Sequence, residues 1–140
     1  MDIEMHNSQK KVQVVTRNYF SNRTDIAGVY LFGSVLGKAF NKDSDVDIGV
    51  LYRSDSISNW EETNQDRVTL SDLLRFEVDL VVLNNASPIL CYQVLKLGKC
   101  ILSLQPHVIN QFFVRTINDY FDLKATRRPI EQQLQQVRIL

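Results

Sequence analysis

Four short apolar runs in the middle of the chain restrict the fold more than anything else in the sequence. AGVYLFG (27–33), DVDIGVLY (45–52), FEVDLVVL (76–83) and CILSL (100–104) are rich in β-branched and aromatic residues and read as strands. The first stops at Gly33-Ser34, a tight turn. The second alternates Asp45, Asp47 and Gly49 with Val46, Ile48 and Val50. Between runs the spacing becomes helical: residues 59–75 set Trp60, Val68, Leu70, Leu73 and Leu74 among charges. Ser87-Pro88 provides an N-cap and a first-turn proline for a helix over 89–97 that Gly98 closes. Upstream, residues 8–22 carry Val12, Val15 and Tyr19 or Phe20 on one helical face. This alternation predicts an α/β or α+β fold, a sheet flanked by helices.

Beyond Pro106 the character changes. Val108, Ile109, Phe112, Phe113, Ile117, Tyr120 and Phe121 form an apolar stripe, read mostly as core, on a helix expected to end near Lys124. An Arg127-Arg128-Pro129 hinge then leads into EQQLQQVRIL, where Ile130, Leu134 and Val137 share one side. The expected organisation is a domain over 1–104 with a C-terminal helical extension over 105–140. The stripe of that extension packs either on a partner or on the chain's own core.

Composition narrows the functional classes. At 44% hydrophobic and 23% charged, the 140 residues describe an ordered single domain rather than a disordered chain. Sixteen Lys+Arg balance 16 Asp+Glu, which gives no general reason to expect nucleic-acid binding. No apolar run approaches the ~20 residues of a membrane span. The start, MDIEMHNSQKK, lacks the apolar stretch of a signal peptide, so the expected location is cytoplasmic. Cys91 and Cys100 sit in apolar surroundings and are expected to be buried free thiols. His6 and His107 have no ligands at metal spacing and read as surface residues. Trp60 is expected to anchor its helix to the core rather than stack on a base. Both ends of the chain are mildly basic, whereas residues 25–123 carry more acids than bases. Position decides what those acids do.

Asp45 and Asp47 lie two apart on a strand, so both side chains leave one face. Two neighbouring carboxylates repel unless a cation sits between them, and oxygen pairs of this kind suit Mg²⁺. A solvated strand edge is the plain alternative. Two features favour chemistry. Gly33-Ser34 ends a buried strand, where glycine lets a ligand approach the backbone and the serine with nearby N–H groups can hold phosphate oxygens. The plain alternative there is a turn with Ser34 as N-cap. Asp79 is an acid within the apolar strand FEVDLVVL, costly to bury without a partner. If Asp79 falls on the matching face beside Asp45 and Asp47, three carboxylates converge as phosphoryl or nucleotidyl transfer requires.

The run GSVLGKAFNKDSDVDIGV (33–50), with ten residues between Ser34 and Asp45, resembles the GS-x10-D-x-D signature of DNA-polymerase-β-like nucleotidyltransferases. Asp79 matches the third carboxylate of that superfamily. The small size and the run VDLVVLNNASPILCYQVLKLGKCIL resemble the minimal nucleotidyltransferase (MNT) antitoxins of HEPN/MNT toxin–antitoxin pairs, a likeness covering roughly residues 27–104. It implies a mixed nucleotidyltransferase sheet and transfer of AMP from ATP to a tyrosine of a cognate HEPN ribonuclease toxin, which is thereby silenced. Carried onto matching positions, Gly33 and Ser34 hold the triphosphate, Asp45 and Asp47 ligate two Mg²⁺ ions, and Asp79 ligates one and helps deprotonate the tyrosine. Gly37-Lys38 stands where many members have Arg-Gly, so Lys38 takes the nucleotide-binding role, as a point charge rather than a fork. Two other functions compete: an antitoxin that neutralises its toxin by binding alone, and a small-molecule nucleotidyltransferase of the aminoglycoside-modifying kind. An intact carboxylate triad speaks against the first and the short chain against the second.

Overall fold

Strand β1 (Ile26–Phe32) is buried along its whole length save its last residue, because both of its edges and both of its faces are covered. The computed structural model describes residues 3–53 and 59–139, with side chains through residue 125. Around β1 lie α1 (Ile3–Phe20), a single 3-10 turn (Gly33–Leu36), β2 (Val46–Tyr52), α2 (Trp60–Leu74), β3 (Val78–Val82), α3 (Pro88–Leu97), β4 (Lys99–Ser103) and α4 (Pro106–Ile139). The sheet order is β3-β2-β1-β4, with β1 antiparallel to both neighbours and β3 parallel to β2. The parallel pair is joined through α2, as a parallel connection needs a crossover. The mixed α+β sheet expected from the sequence is present.

Alternation along β2 divides the core. Val46, Ile48, Val50 and Tyr52 pack with Val12 and Phe20 of α1 and with Leu70 and Leu74 of α2. On the other face, Tyr30 and Leu51 pack with Cys91 and Val94 of α3 and Phe112 of α4. The local signals behave as read: Asn59 caps α2 by accepting from the Glu62 N–H at 2.8 Å, and Ser87 caps α3 by accepting from the Leu90 N–H at 3.2 Å. Asn84 closes the far end of the sheet, its amide exchanging two hydrogen bonds with the Tyr52 backbone at 2.8 and 2.9 Å.

Four expectations change. The C-terminal segment runs as one helix through Pro129 rather than ending near Lys124 at a hinge. The stripe of Ile130, Leu134 and Val137 lies outside the residues whose side chains are described. Upstream, the stripe over 108–121 is only partly core: Phe112 is buried, but Phe113, Val114 and Phe121 are exposed because α4 offers more apolar positions than one seam covers. Its seam is built by Phe112 near Tyr30 and by Tyr120, whose ring stacks on Tyr92 of α3 at 3.9 Å. Trp60 is 77% exposed: as the first residue of α2 it lies outside both core clusters. Cys91 is buried as expected, but Cys100 lies exposed on the edge strand β4.

An ion-pair network locks α1 to α2. Asp66, buried on α2, accepts from the Tyr19 hydroxyl at 2.6 Å and from both terminal nitrogens of Arg23 at 2.9 and 3.2 Å. Arg23 also forks onto Asp25, with both contacts at 3.0 Å. Burial, then the hydrogen bond to Asp66, pushes Tyr19 up to about 12. The Arg23 fork holds the Asp25 carboxyl below the ordinary value of 3.8. Asp66→Asn preserves shape but leaves Arg23 without half its partners, so urea unfolding should show a loss of about 1.5–3 kcal/mol with an unchanged slope. A smaller loss would mean that Asp25 alone satisfies the guanidinium.

Candidate active site

The strand register builds the site. Phe32, the last residue of β1, pairs with Asp47 on β2, and Asp47 pairs with Asp79 on β3. The turn after Phe32, Asp47 and Asp79 are therefore consecutive neighbours across the sheet. Asp45 immediately precedes β2, two residues from Asp47 and on the same side. The start of β2 is fixed by the Val46 N–H, which donates to the Glu77 carbonyl at 2.8 Å. Before it, an Asn41–Ser44 turn closes on three local hydrogen bonds, one of them from the Ser44 N–H to the Asn41 carbonyl at 3.0 Å.

Gly33 is required twice. Its φ of +78° is left-handed, and a Cβ there would run into the Asp47 carboxylate. Chain reversal directly against the acid is thus possible only with glycine. Ser34 does not cap the turn: Phe32 occupies the cap position, and the Ser34 hydroxyl donates to the Asp45 carbonyl at 3.3 Å. That bond ties the turn to the carboxylate pair. Lys38 lies just past the turn, exposed.

The electrostatics are those of crowded anions. Asp47 is half-buried, and its carboxyl is raised above the ordinary value of 3.8 by burial first, then by the charges of Asp79 and Asp45. Asp45 and Asp79 are exposed. Among the described residues no three His, Cys, Asp or Glu groups close on one point as a finished metal cage. Asp47 instead stands between two other carboxylates. This arrangement fits Mg²⁺, which takes one or two protein carboxylates and completes its octahedron with phosphate oxygens and water.

Gln9 is the site residue that sequence reasoning missed. From α1 its side-chain amide donates to the carbonyls of Val35 and Gly37, both at 2.9 Å, and clasps the 3-10 turn from behind. One glutamine on the polar face of a helix carries no signal of such a role.

The family description "Polymerase beta, Nucleotidyltransferase" matches residues 15–107. Protein adenylyltransferase MntA of Shewanella oneidensis is 38% identical over 104 residues, spanning 73% of this chain and 71% of that protein. A crystal structure of a toxin–antitoxin with AMP-PNP contains a chain 31% identical, with a TM-score of 0.71, covering 89% of this chain and 98% of that one. A rebuilt structure of the tri-AMPylated Shewanella oneidensis HEPN toxin in complex with MNT antitoxin is matched at 30% identity and a TM-score of 0.69, covering 91% of this chain and 98% of that one.

The raised Asp47 makes stability depend on pH in a definite direction. The folded protein holds the Asp47 proton more tightly than the unfolded chain does, so this group's contribution is fully present below 3.8 and is lost as pH rises through the folded value. Asp47→Asn removes that penalty. Without divalent metal it should melt higher than the parent protein at pH 7, and the gap should close as pH falls toward 4. A gap that stays constant in calorimetry across that range would mean Asp47 bears no excess charge repulsion.

Proposed function

The chain belongs to the polymerase beta nucleotidyltransferase family, and on that premise we propose that it is an antitoxin that transfers AMP from ATP to a tyrosine hydroxyl of a cognate HEPN ribonuclease toxin, inactivating it. The observation that carries this reading is the register Phe32–Asp47–Asp79, which sets a glycine turn with open backbone and two carboxylates side by side. Support comes from the relatives: MntA is a protein adenylyltransferase, one matched structure holds AMP-PNP, and another holds an AMPylated toxin.

In this mechanism Gly33 and Ser34 hold the triphosphate of ATP, with Lys38 offsetting its charge. Asp45 and Asp47 would hold two Mg²⁺ ions, with Asp79 contributing to one of them. When bound, the ions neutralise the phosphates and make the tyrosine hydroxyl a better nucleophile. The phenol oxygen attacks the α-phosphorus in line, a P–O bond forms, the bond to the β-phosphate oxygen breaks, and pyrophosphate leaves. Asp79, on the acceptor side, takes the phenol proton. Gln9 keeps the turn rigid behind the triphosphate. No helix among the described residues is long and apolar enough to cross a membrane.

Labelled ATP tests the assignment. The double change Asp45→Asn, Asp47→Asn should reduce AMP transfer to the HEPN protein at least about a hundredfold, the loss expected when a transfer centre is dismantled. A variant that still labels the toxin at near the normal rate would remove both residues from the chemistry. Toxin silenced without any label, even by the unaltered protein, would establish neutralisation by binding instead.

Asp79→Asn separates proton removal from nucleotide binding. It should lower kcat about a hundredfold or more while the KM for ATP changes little. Unchanged turnover would make Asp79 a structural acid of the edge strand.

A further inference from the structure

We propose that the open edge of β3 receives the acceptor polypeptide as an added strand, an inference that rests on reading Asp79 as the acceptor-side carboxylate. β3 lies at the end of the sheet and, among the described residues, pairs only with β2. That pairing uses its odd-numbered residues: the Glu77 carbonyl accepts from the Val46 N–H at 2.8 Å, and the Leu83 N–H donates to the Val50 carbonyl at 2.9 Å. Alternate residues of a strand present their backbone groups to opposite edges. Val78, Leu80 and Val82 therefore turn theirs outward. The Ser71 hydroxyl accepts from the Val78 N–H at 3.2 Å. Among the described residues nothing hydrogen-bonds the outward groups of Leu80 or Val82.

The edge is an open groove. About 440 Å³ of space runs along Leu80 and Val82, walled by Trp60 and Arg67 of α2 and by Leu90 of α3. Natural edge strands are commonly blunted by charge, proline or cover, and this stretch has no such device at Leu80–Val82. Trp60 is 77% exposed beside it, and the Arg67 guanidinium is held in place by the Asn64 side-chain oxygen at 2.9 and 3.2 Å. Exposed tryptophan and an oriented arginine are typical anchors of a protein contact. An extended polypeptide is the ligand whose N–H and C=O groups match both orphaned pairs at strand spacing.

The groove also ends in the right place. Leu80 adjoins Asp79, whose side chain leaves on the α3 side of the sheet, opposite to that of Leu80. An added strand places every second side chain on that side, with diagonal neighbours about 7–8 Å apart, a span that a tyrosine bridges to bring its hydroxyl to Asp79. Backbone pairing would thus supply binding while the tyrosine supplies the nucleophile. Such docking is indifferent to most of the acceptor's sequence.

Hydrogen exchange on the full-length protein, with and without the unmodified HEPN protein and in the presence of a non-transferable ATP analogue, tests this. Complex formation should slow exchange of the Leu80 and Val82 amides about tenfold or more and leave the already bonded Leu83 amide unchanged. Trp60→Ala, a surface change, should raise the KM for the HEPN protein about tenfold, with kcat and the KM for ATP within about twofold. Unprotected Leu80 and Val82 in a complex that transfers AMP with ATP would overturn the strand-addition site and leave the transferase reading standing. Absence of both transfer and protection would overturn both. Protection of the two amides in the isolated protein, together with a dimeric mass, would assign the edge to a second copy of this chain and overturn the proposal.

Discussion

The site depends on backbone hydrogen bonds holding together side chains that repel one another. Asp45, Asp47 and Asp79 would separate if they were free to do so. They cannot, because β2 is fixed between β1 on one side and β3 on the other in a register that sets Phe32, Asp47 and Asp79 in line. Neither pairing alone would suffice. The antiparallel one delivers the glycine turn, and the parallel one delivers the third acid. Stability invested in the sheet is thus stored as unfavourable charge at one corner, of the kind that a neighbouring positive charge relieves.

Much of this was legible in the sequence because it rests on local signals. Runs of β-branched residues, caps at Asn59 and Ser87, and the spacing from Gly33-Ser34 to Asp45 are one-dimensional facts with direct structural meaning. The pairing of Asp79 with Asp47 could be conjectured from its place in an apolar strand, though the order β3-β2-β1-β4 is a tertiary result. What stayed hidden is long-range. Asp66 and Arg23 are separated by 43 residues, and nothing near either announces that α1 will bring them together. Gln9 reaches a turn 26 residues away.

The misread residues share one cause. For Trp60, Phe113 and Cys100 the expectation of burial rests on hydrophobicity, which tells what a side chain prefers and not whether the fold has room to cover it. The sheet has two faces and four strands, and its helices cover those faces with Leu70, Leu74, Val94 and Phe112. Apolar residues left over at a helix start, on the outer side of α4 or on an edge strand remain in water. Pro129 illustrates the converse: a residue that usually ends a helix is carried within a 34-residue one.

The clasp of Gln9 on the Val35 and Gly37 carbonyls joins the N-terminal helix to the glycine turn beside Asp47. Two elements bonded in this way share one equilibrium. Whatever tightens the loop also favours the docked helix, and whatever pulls the helix away loosens the loop by the same free energy. Helix α1, whose described residues contribute no side chain to the carboxylate corner, thereby becomes a handle on it. Under the proposed function, a ligand that grips the outward face of α1 would reach the glycine turn from a distance, through Gln9 alone.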